Sequence, residues 1–144
     1  MKKIRVGVIG LGFIGKQHVE ALRRLPYIEI VAGSDSNLSM REWCEKNGIQ
    51  KYYSDYKEML TNENMDVVHN CTPNNFHYEV SCEILKTGCH VYSEKPLTIK
   101  SVEGESLIEL ADKKGLKTAV NFNYRNNSVS YTHLRAHETD SYLV

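Results

Sequence analysis

Ile4-Arg5-Val6-Gly7-Val8-Ile9-Gly10-Leu11-Gly12-Phe13-Ile14-Gly15 is the stretch on which the reading of this chain turns. Its first half, Ile4 to Ile9, is a short apolar run of the kind that forms a buried strand. Its second half is a G-x-G-x-x-G turn that opens into helical periodicity. Ile14, His18, Leu22 and Leu25 recur at spacings of four, four and three, and Pro26 ends the run. In this strand–turn–helix context each glycine has its own task. Gly10 takes the tight turn, Gly12 has no Cβ and lets the backbone approach a diphosphate, and Gly15 lets helix and strand pack closely. Phe13 and Ile14 begin the helix, whose free N–H groups and dipole favour an anion. A glycine turn with no ligand is the other reading of the same residues.

Downstream, strand and helix signals alternate. Tyr27 to Ser34 reads as a second strand ending at Asp35, twenty residues past Gly15. A carboxylate there accepts hydrogen bonds from the adenosine ribose hydroxyls and repels a 2′-phosphate, which favours NAD over NADP. Ser36-Asn37-Leu38 follow, and Arg41 is the nearest arginine. An aspartate at this place can equally cap the next helix. That helix runs from Leu38 to Asn47 with Met40, Trp43 and Cys44 inward and Gly48 as its C-cap. A short strand lies near Lys51-Tyr52-Tyr53, and Ser54 caps a brief helix carrying Tyr56, Met59 and Leu60. Asp66 to Cys71 is the fourth strand and ends at Thr72-Pro73-Asn74. Phe76, Val80 and Ile84 mark the next helix, closed by Gly88. His90 to Ser93 is the fifth strand. Ser101 caps a helix with Leu107, Leu110 and Ala111 inward, ended by Gly115, and Thr118 to Phe122 is the sixth strand. Parallel strands need crossover helices, so the fold class is α/β, a doubly wound parallel sheet in the order 3-2-1-4-5-6.

Composition sets the outer limits. With 144 residues the chain suits one domain and leaves no room for a second full one. Eighteen basic residues balance eighteen acidic ones, which speaks against a nucleic-acid or anionic-membrane partner. Cys44, Cys71, Cys82 and Cys89 form no C-x-x-C pair and read as reduced residues of a cytoplasmic protein. Met1-Lys2-Lys3 and the apolar run after it imitate a signal peptide. Four glycines break that run, Lys16 follows at once, and no A-x-A-like cleavage site lies nearby. No apolar stretch is long enough to span a bilayer.

After Phe122 the periodicity stops. Ser130 to Thr139 resembles a conceptual translation of sequencing-adapter DNA, so residues from about Val129 onward are expected not to be native. The expected division is a dinucleotide-binding domain over 1–127 and a non-native or disordered tail over 128–144. His133 and His137 have the i, i+4 spacing of a zinc pair, but Leu134 stands where an H-E-x-x-H site needs glutamate, and no metal site is expected.

Four motifs in order carry a resemblance: Gly10 to Gly15, Cys71-Thr72-Pro73-Asn74-Asn75-Phe76-His77, Glu94-Lys95-Pro96 and Asn121-Phe122-Asn123-Tyr124-Arg125. Together they resemble the Gfo/Idh/MocA oxidoreductases over about residues 2 to 127. The resemblance implies the NAD(P)-binding Rossmann half of an enzyme that transfers hydride between NAD(P) and a sugar, cyclitol or related polyol. It also implies a missing C-terminal domain that supports homo-oligomers and supplies further catalytic residues. By resemblance, Thr72-Pro73-Asn74 borders the nicotinamide side of the cofactor, Tyr124 and Arg125 lie near the nicotinamide and the domain junction, and Asn123 and Arg125 are cofactor-binding residues. Lys95 sits beside the nicotinamide as the catalytic residue that contacts the substrate oxygen. The chemistry agrees, since oxidising a carbinol requires the hydroxyl proton to leave, and a partly desolvated lysine can orient the hydroxyl or relay that proton.

Each assignment has a plainer alternative. Thr72-Pro73-Asn74 also reads as a strand-ending turn, His77 as an exposed histidine rather than a ligand contact, and Lys95 as an ordinary surface lysine. Glu94 either anchors Lys95 or lines the pocket. Pro96 fixes the exit from strand five, with a cis Lys95–Pro96 bond open at this position. A non-catalytic dinucleotide sensor of the same fold, or a flavin or methyl-donor enzyme, are competing functions. The intact Glu94-Lys95-Pro96 argues against the first and the later motifs against the second.

Overall fold

The six expected strands form one sheet, and every pair in it is parallel. The computed structural model describes residues 2–122. In chain order the elements are β1 (Ile4–Ile9), α1 (Phe13–Arg23), β2 (Ile28–Ser34), α2 (Met40–Lys46), β3 (Tyr52–Tyr53) and α3 (Tyr56–Asn62). Then come β4 (Val67–Asn70), a single 3-10 turn at Asn74–Phe76, α4 (His77–Lys86), β5 (His90–Glu94), α5 (Ser101–Lys114) and β6 (Thr118–Asn121). The sheet order is β3-β2-β1-β4-β5-β6, the doubly wound arrangement with its switch point between β1 and β4.

Register positions the site. Ile9 pairs with Ser34 on one side and Asn70 on the other, Asn70 pairs with Ser93, and Glu94 pairs with Asn121. The carboxyl ends of these strands therefore share one edge of the sheet. Gly10, Asp35, Cys71 and Lys95 all leave the sheet there, where open α/β sheets bind ligands. Two apolar clusters cover the sheet. Val6, Val8, Leu11, Val19, Leu22, Cys44 and Ile49 make one. The other gathers Ile9, Met59, Val68, Val80, Ile84, Leu85, Val91, Leu107 and Ala111.

Several local expectations shift. The buried stripe of α1 is Gly15, His18, Val19 and Leu22. Ile14 is 41% exposed and Leu25 36%. Ile14 faces the open end of the sheet, and Leu25 lies beyond the helix, where helical phase no longer applies. Leu38 is exposed because α2 starts only at Met40. The N-cap of α3 is Asp55, not Ser54. Its carboxylate accepts from the Lys57 backbone N–H at 2.8 Å, a charge-assisted bond that a serine hydroxyl does not match. Ser101 is the first residue inside α5 rather than its cap, and Gly115 ends that helix at φ 66°. β6 stops at Asn121, which leaves Phe122 exposed.

Candidate functional site

A cleft of about 710 Å³ opens at the carboxyl edge of the sheet, over β1, β2 and β4, and Gly10, Gly12, Phe13, Ile14, Asp35, Thr72 and Pro73 are among its walls. The glycine turn is shaped as its spacing predicts. Gly10 has φ 86°, and a Cβ there would lie 2.5 Å from the Cys71 carbonyl oxygen. A Cβ on Gly15 would lie 1.8 Å from the Gly10 carbonyl oxygen, so α1 crosses the turn in contact with its backbone. A Cβ on Gly12 would meet nothing within 4 Å. At that open point α1 starts with no side-chain cap and no acidic residue in its first turn, leaving its N–H groups and positive dipole end uncompensated.

Asp35 stands on the same cleft and is not a helix cap, because Ser39 holds that position. Its Oδ2 accepts from the Leu11 backbone N–H at 2.7 Å and its Oδ1 from the Asn37 N–H at 2.8 Å. Each carboxylate oxygen keeps another lone pair for a hydroxyl. Arg41 lies over the Tyr52 ring at 5.5 Å, and the Tyr52 hydroxyl donates to the Asp35 carbonyl. An uncapped helix start beside open space, with a carboxylate on the same cleft, fits a dinucleotide.

The loop after β4 is built from below. Asn70 is fully buried, and its Oδ1 accepts from the Thr72 hydroxyl at 2.7 Å and the Thr72 N–H at 3.3 Å. Its Nδ2 donates to the His77 carbonyl and the Ser81 hydroxyl, both at 3.0 Å. Thr72 and Pro73 reach the cleft, while Asn74 begins the 3-10 turn and is not among its walls. His77 is neither exposed nor on the cleft. It is 0% exposed, with Nδ1 2.6 Å from the Pro96 carbonyl oxygen and Nε2 2.7 Å from the Thr72 carbonyl oxygen. The start of α4 turns this ring under the loop instead of outward.

Glu94, Lys95 and Pro96 follow β5 at the same edge but outside the walls of the 710 Å³ cleft. The Lys95–Pro96 peptide bond is cis. Lys95 is exposed, and its ammonium makes no hydrogen bond or ion pair among the described residues. Glu94 anchors rather than lines. It is buried, and its Oε2 accepts from the Lys95 backbone N–H at 3.3 Å. Its Oε1 lies 2.8 Å from His18 Nε2 and accepts from Asn121 Nδ2 at 2.5 Å.

Glu94 belongs to a polar cluster that the sequence reading did not assemble. His18 Nδ1 is 2.9 Å from His69 Nδ1 and 3.3 Å from the Cys71 sulfur, and the His69 ring packs against Tyr92 with centroids 4.7 Å apart. Burial alone would raise the Glu94 carboxyl, but the bonds from Asn121 and His18 outweigh it and hold it below the ordinary carboxylate range. His18 Nε2 therefore donates to an anion. Burial first, and His18 second, push His69 down to about 3. Burial, then Glu94, pushes the Cys71 thiol well up, and burial lifts Cys44 to about 11, so both are thiols at neutral pH. The signal for the cluster was period two in β5, where His90, Tyr92 and Glu94 share one face, joined to the register that sets His69 beside Tyr92. Among the described residues, no group of three or more His, Cys, Asp or Glu side chains is placed to hold a metal ion.

The sequence model described as "Oxidoreductase family, NAD-binding Rossmann fold" matches residues 4–122, from β1 through the residue after β6. The chain belongs to this Gfo/Idh/MocA family. Among curated relatives, it is 36% identical to a myo-inositol 2-dehydrogenase of Thermotoga maritima over 85% of this chain and 37% of that protein. It is also 36% identical to a D-glucoside 3-dehydrogenase of Escherichia coli, over 85% of this chain and 35% of that protein. The WlbA dehydrogenase of Bordetella pertussis, solved in complex with NADH and UDP-GlcNAcA, superposes with a TM-score of 0.88 at 28% identity, over 96% of this chain and 42% of that one. The chain thus spans little more than a third of the curated Gfo/Idh/MocA relatives it matches. Asn123, Tyr124, Arg125 and the 128–144 stretch lie outside the described residues.

Proposed function

We propose that this chain is the NAD-holding portion of an NAD-dependent dehydrogenase that oxidises a CH–OH group of a sugar, cyclitol or related polyol. The observation that carries the reading is the shared edge, where parallel register delivers the glycine turn, Asp35, the Thr72 loop and Lys95 to one side of the sheet. Family membership and relatives named for inositol and glucoside oxidation support the substrate class. Bound NAD supplies the hydride acceptor. N–H groups at Gly12, Phe13 and Ile14 take the diphosphate, Gly10 and Gly15 keep the turn close to α1, and Asp35 accepts from the ribose hydroxyls, which favours NAD over NADP. Thr72, Pro73 and Asn74 border the nicotinamide side, with His77 behind them.

Lys95 orients the substrate hydroxyl and receives or relays its proton, while Glu94 and Pro96 hold the lysine's backbone on either side. Asn123 and Arg125 act beside the nicotinamide, and a further domain binds the polyol and forms the homo-oligomer. Residues 128–144 take no part. Free cysteines throughout support a cytoplasmic protein, and no helix among the described residues is long and apolar enough to cross a membrane. The test is NAD-dependent oxidation of a polyol panel by the full-length protein and its Lys95→Met variant. A loss of about 10²–10⁴-fold in kcat, with NADH binding retained, is the size expected for a proton-transfer residue. Unchanged kcat in Lys95→Met refutes the assignment of Lys95, and no turnover of any polyol refutes the substrate class.

A further inference from the structure

His77 is completely buried, and its ring spans two loops rather than touching the cleft. Both of its ring nitrogens face carbonyl oxygens, Pro96 at 2.6 Å and Thr72 at 2.7 Å. A carbonyl oxygen only accepts. A neutral imidazole has one N–H and one bare nitrogen, so it satisfies one of these oxygens and turns a lone pair on the other. The imidazolium donates to both, and a charge-assisted bond at each end suits contacts this short.

Each end of the ring meets a segment that is fixed elsewhere. Asn70 holds Thr72 through its hydroxyl and N–H, and holds the His77 carbonyl as well. Glu94, itself gripped by His18 and Asn121, accepts from the N–H of Lys95. Between these two anchored points the ring is a rigid strut. One end is on a residue that walls the cleft, and the other is on the residue that follows Lys95.

We infer that His77, donating from both ring nitrogens, is a positioning residue that couples the placement of Lys95 to the state of the dinucleotide cleft. The inference rests on the reading of Lys95 given above. Its direct consequence is that a ligand that moves the Thr72 carbonyl also moves the Lys95–Pro96 corner, although that corner is not a wall of the cleft. His77 touches neither substrate nor cofactor in this arrangement.

Nuclear magnetic resonance on the isotopically labelled 144-residue chain tests it. In the folded chain, both His77 nitrogens carry protons, and each shows a coupling across its hydrogen bond, one to the Thr72 and one to the Pro96 carbonyl carbon. A His77 with one bare nitrogen, or with a single coupling, overturns the proposal without any variant. Titration with NADH then reads the linkage. The amides of Gly12 and Lys95 respond together in the parent chain, and in His77→Leu the Lys95 response falls about threefold or more while that of Gly12 persists. A Lys95 response unchanged in His77→Leu overturns the coupling and leaves the cofactor reading intact. If Gly12 fails to respond in the parent chain, the cofactor reading fails instead, and the protons on His77 decide the strut alone.

Discussion

The Asp35 carboxylate accepts a hydrogen bond from the Leu11 backbone N–H at 2.7 Å, which ties the tip of β2 to the glycine turn that follows β1. One residue therefore does two things on the same cleft: it fixes the turn and offers charge to whatever lies there. Removing the charge while keeping the shape separates the two. On the function proposed above, Asp35→Asn loses the anion assigned to discriminate against a 2′-phosphate and weakens a hydrogen bond to a charged group, worth roughly 1.5–3 kcal/mol. NADH affinity is expected to fall about tenfold or more, and the preference over NADPH to narrow, in parallel fluorescence titrations.

Gly12 and Gly15 belong to one motif and predict opposite outcomes. Gly12→Ala puts a methyl group into open space, so stability by urea unfolding should change by less than about 0.5 kcal/mol. NADH binding should still be lost, because the methyl occupies the approach to the helix start. Gly15→Ala places a carbon 1.8 Å from the Gly10 carbonyl, and backbone on both sides has to move. Unfolding should cost about 3 kcal/mol less in denaturant, as for an overpacked core site.

The sheet order and the glycine turn were legible because both rest on local patterns: short apolar runs, helical periodicity and glycines at fixed offsets. The polar cluster was not, because it exists only through register. Nothing local to His69 reveals that Tyr92 is its partner strand neighbour or that His18 reaches both from α1. The burial of His77 is hidden from the sequence for a related reason. A histidine at a helix start is equally compatible with ligand contact or exposure, and only the paths of the Thr72 and Pro96 backbones bury it. Ile14 shares helical spacing with His18, yet its turn of the helix lies over the cleft, beside the glycine turn.

His69 gives the fold an acid-sensitive face. In the unfolded chain its imidazole takes a proton near its ordinary value of 6.5, while in the fold burial and His18 hold it to about 3. The folded value is the lower one, so the unfolded state binds more protons between these limits, and stability is present above about 6.5 and lost as pH falls toward 3. Glu94 and Glu63, also lowered in the fold, add loss as pH falls through the ordinary carboxylate value of 4.5. The upper part of the limb, between pH 6.5 and about 5.5, therefore reports the histidine most directly. His69→Phe keeps an aromatic ring against Tyr92 and should flatten that limb. An equally steep limb in the variant would assign the acid sensitivity elsewhere.

The proposed function requires that this chain take NAD at the glycine turn and Asp35. Equilibrium titration of the folded 144-residue chain with NADH and with NADPH measures it. Saturable NADH binding, about tenfold or more tighter than NADPH, is the predicted result. A folded chain that binds no NADH, or that binds NADPH as tightly, contradicts it.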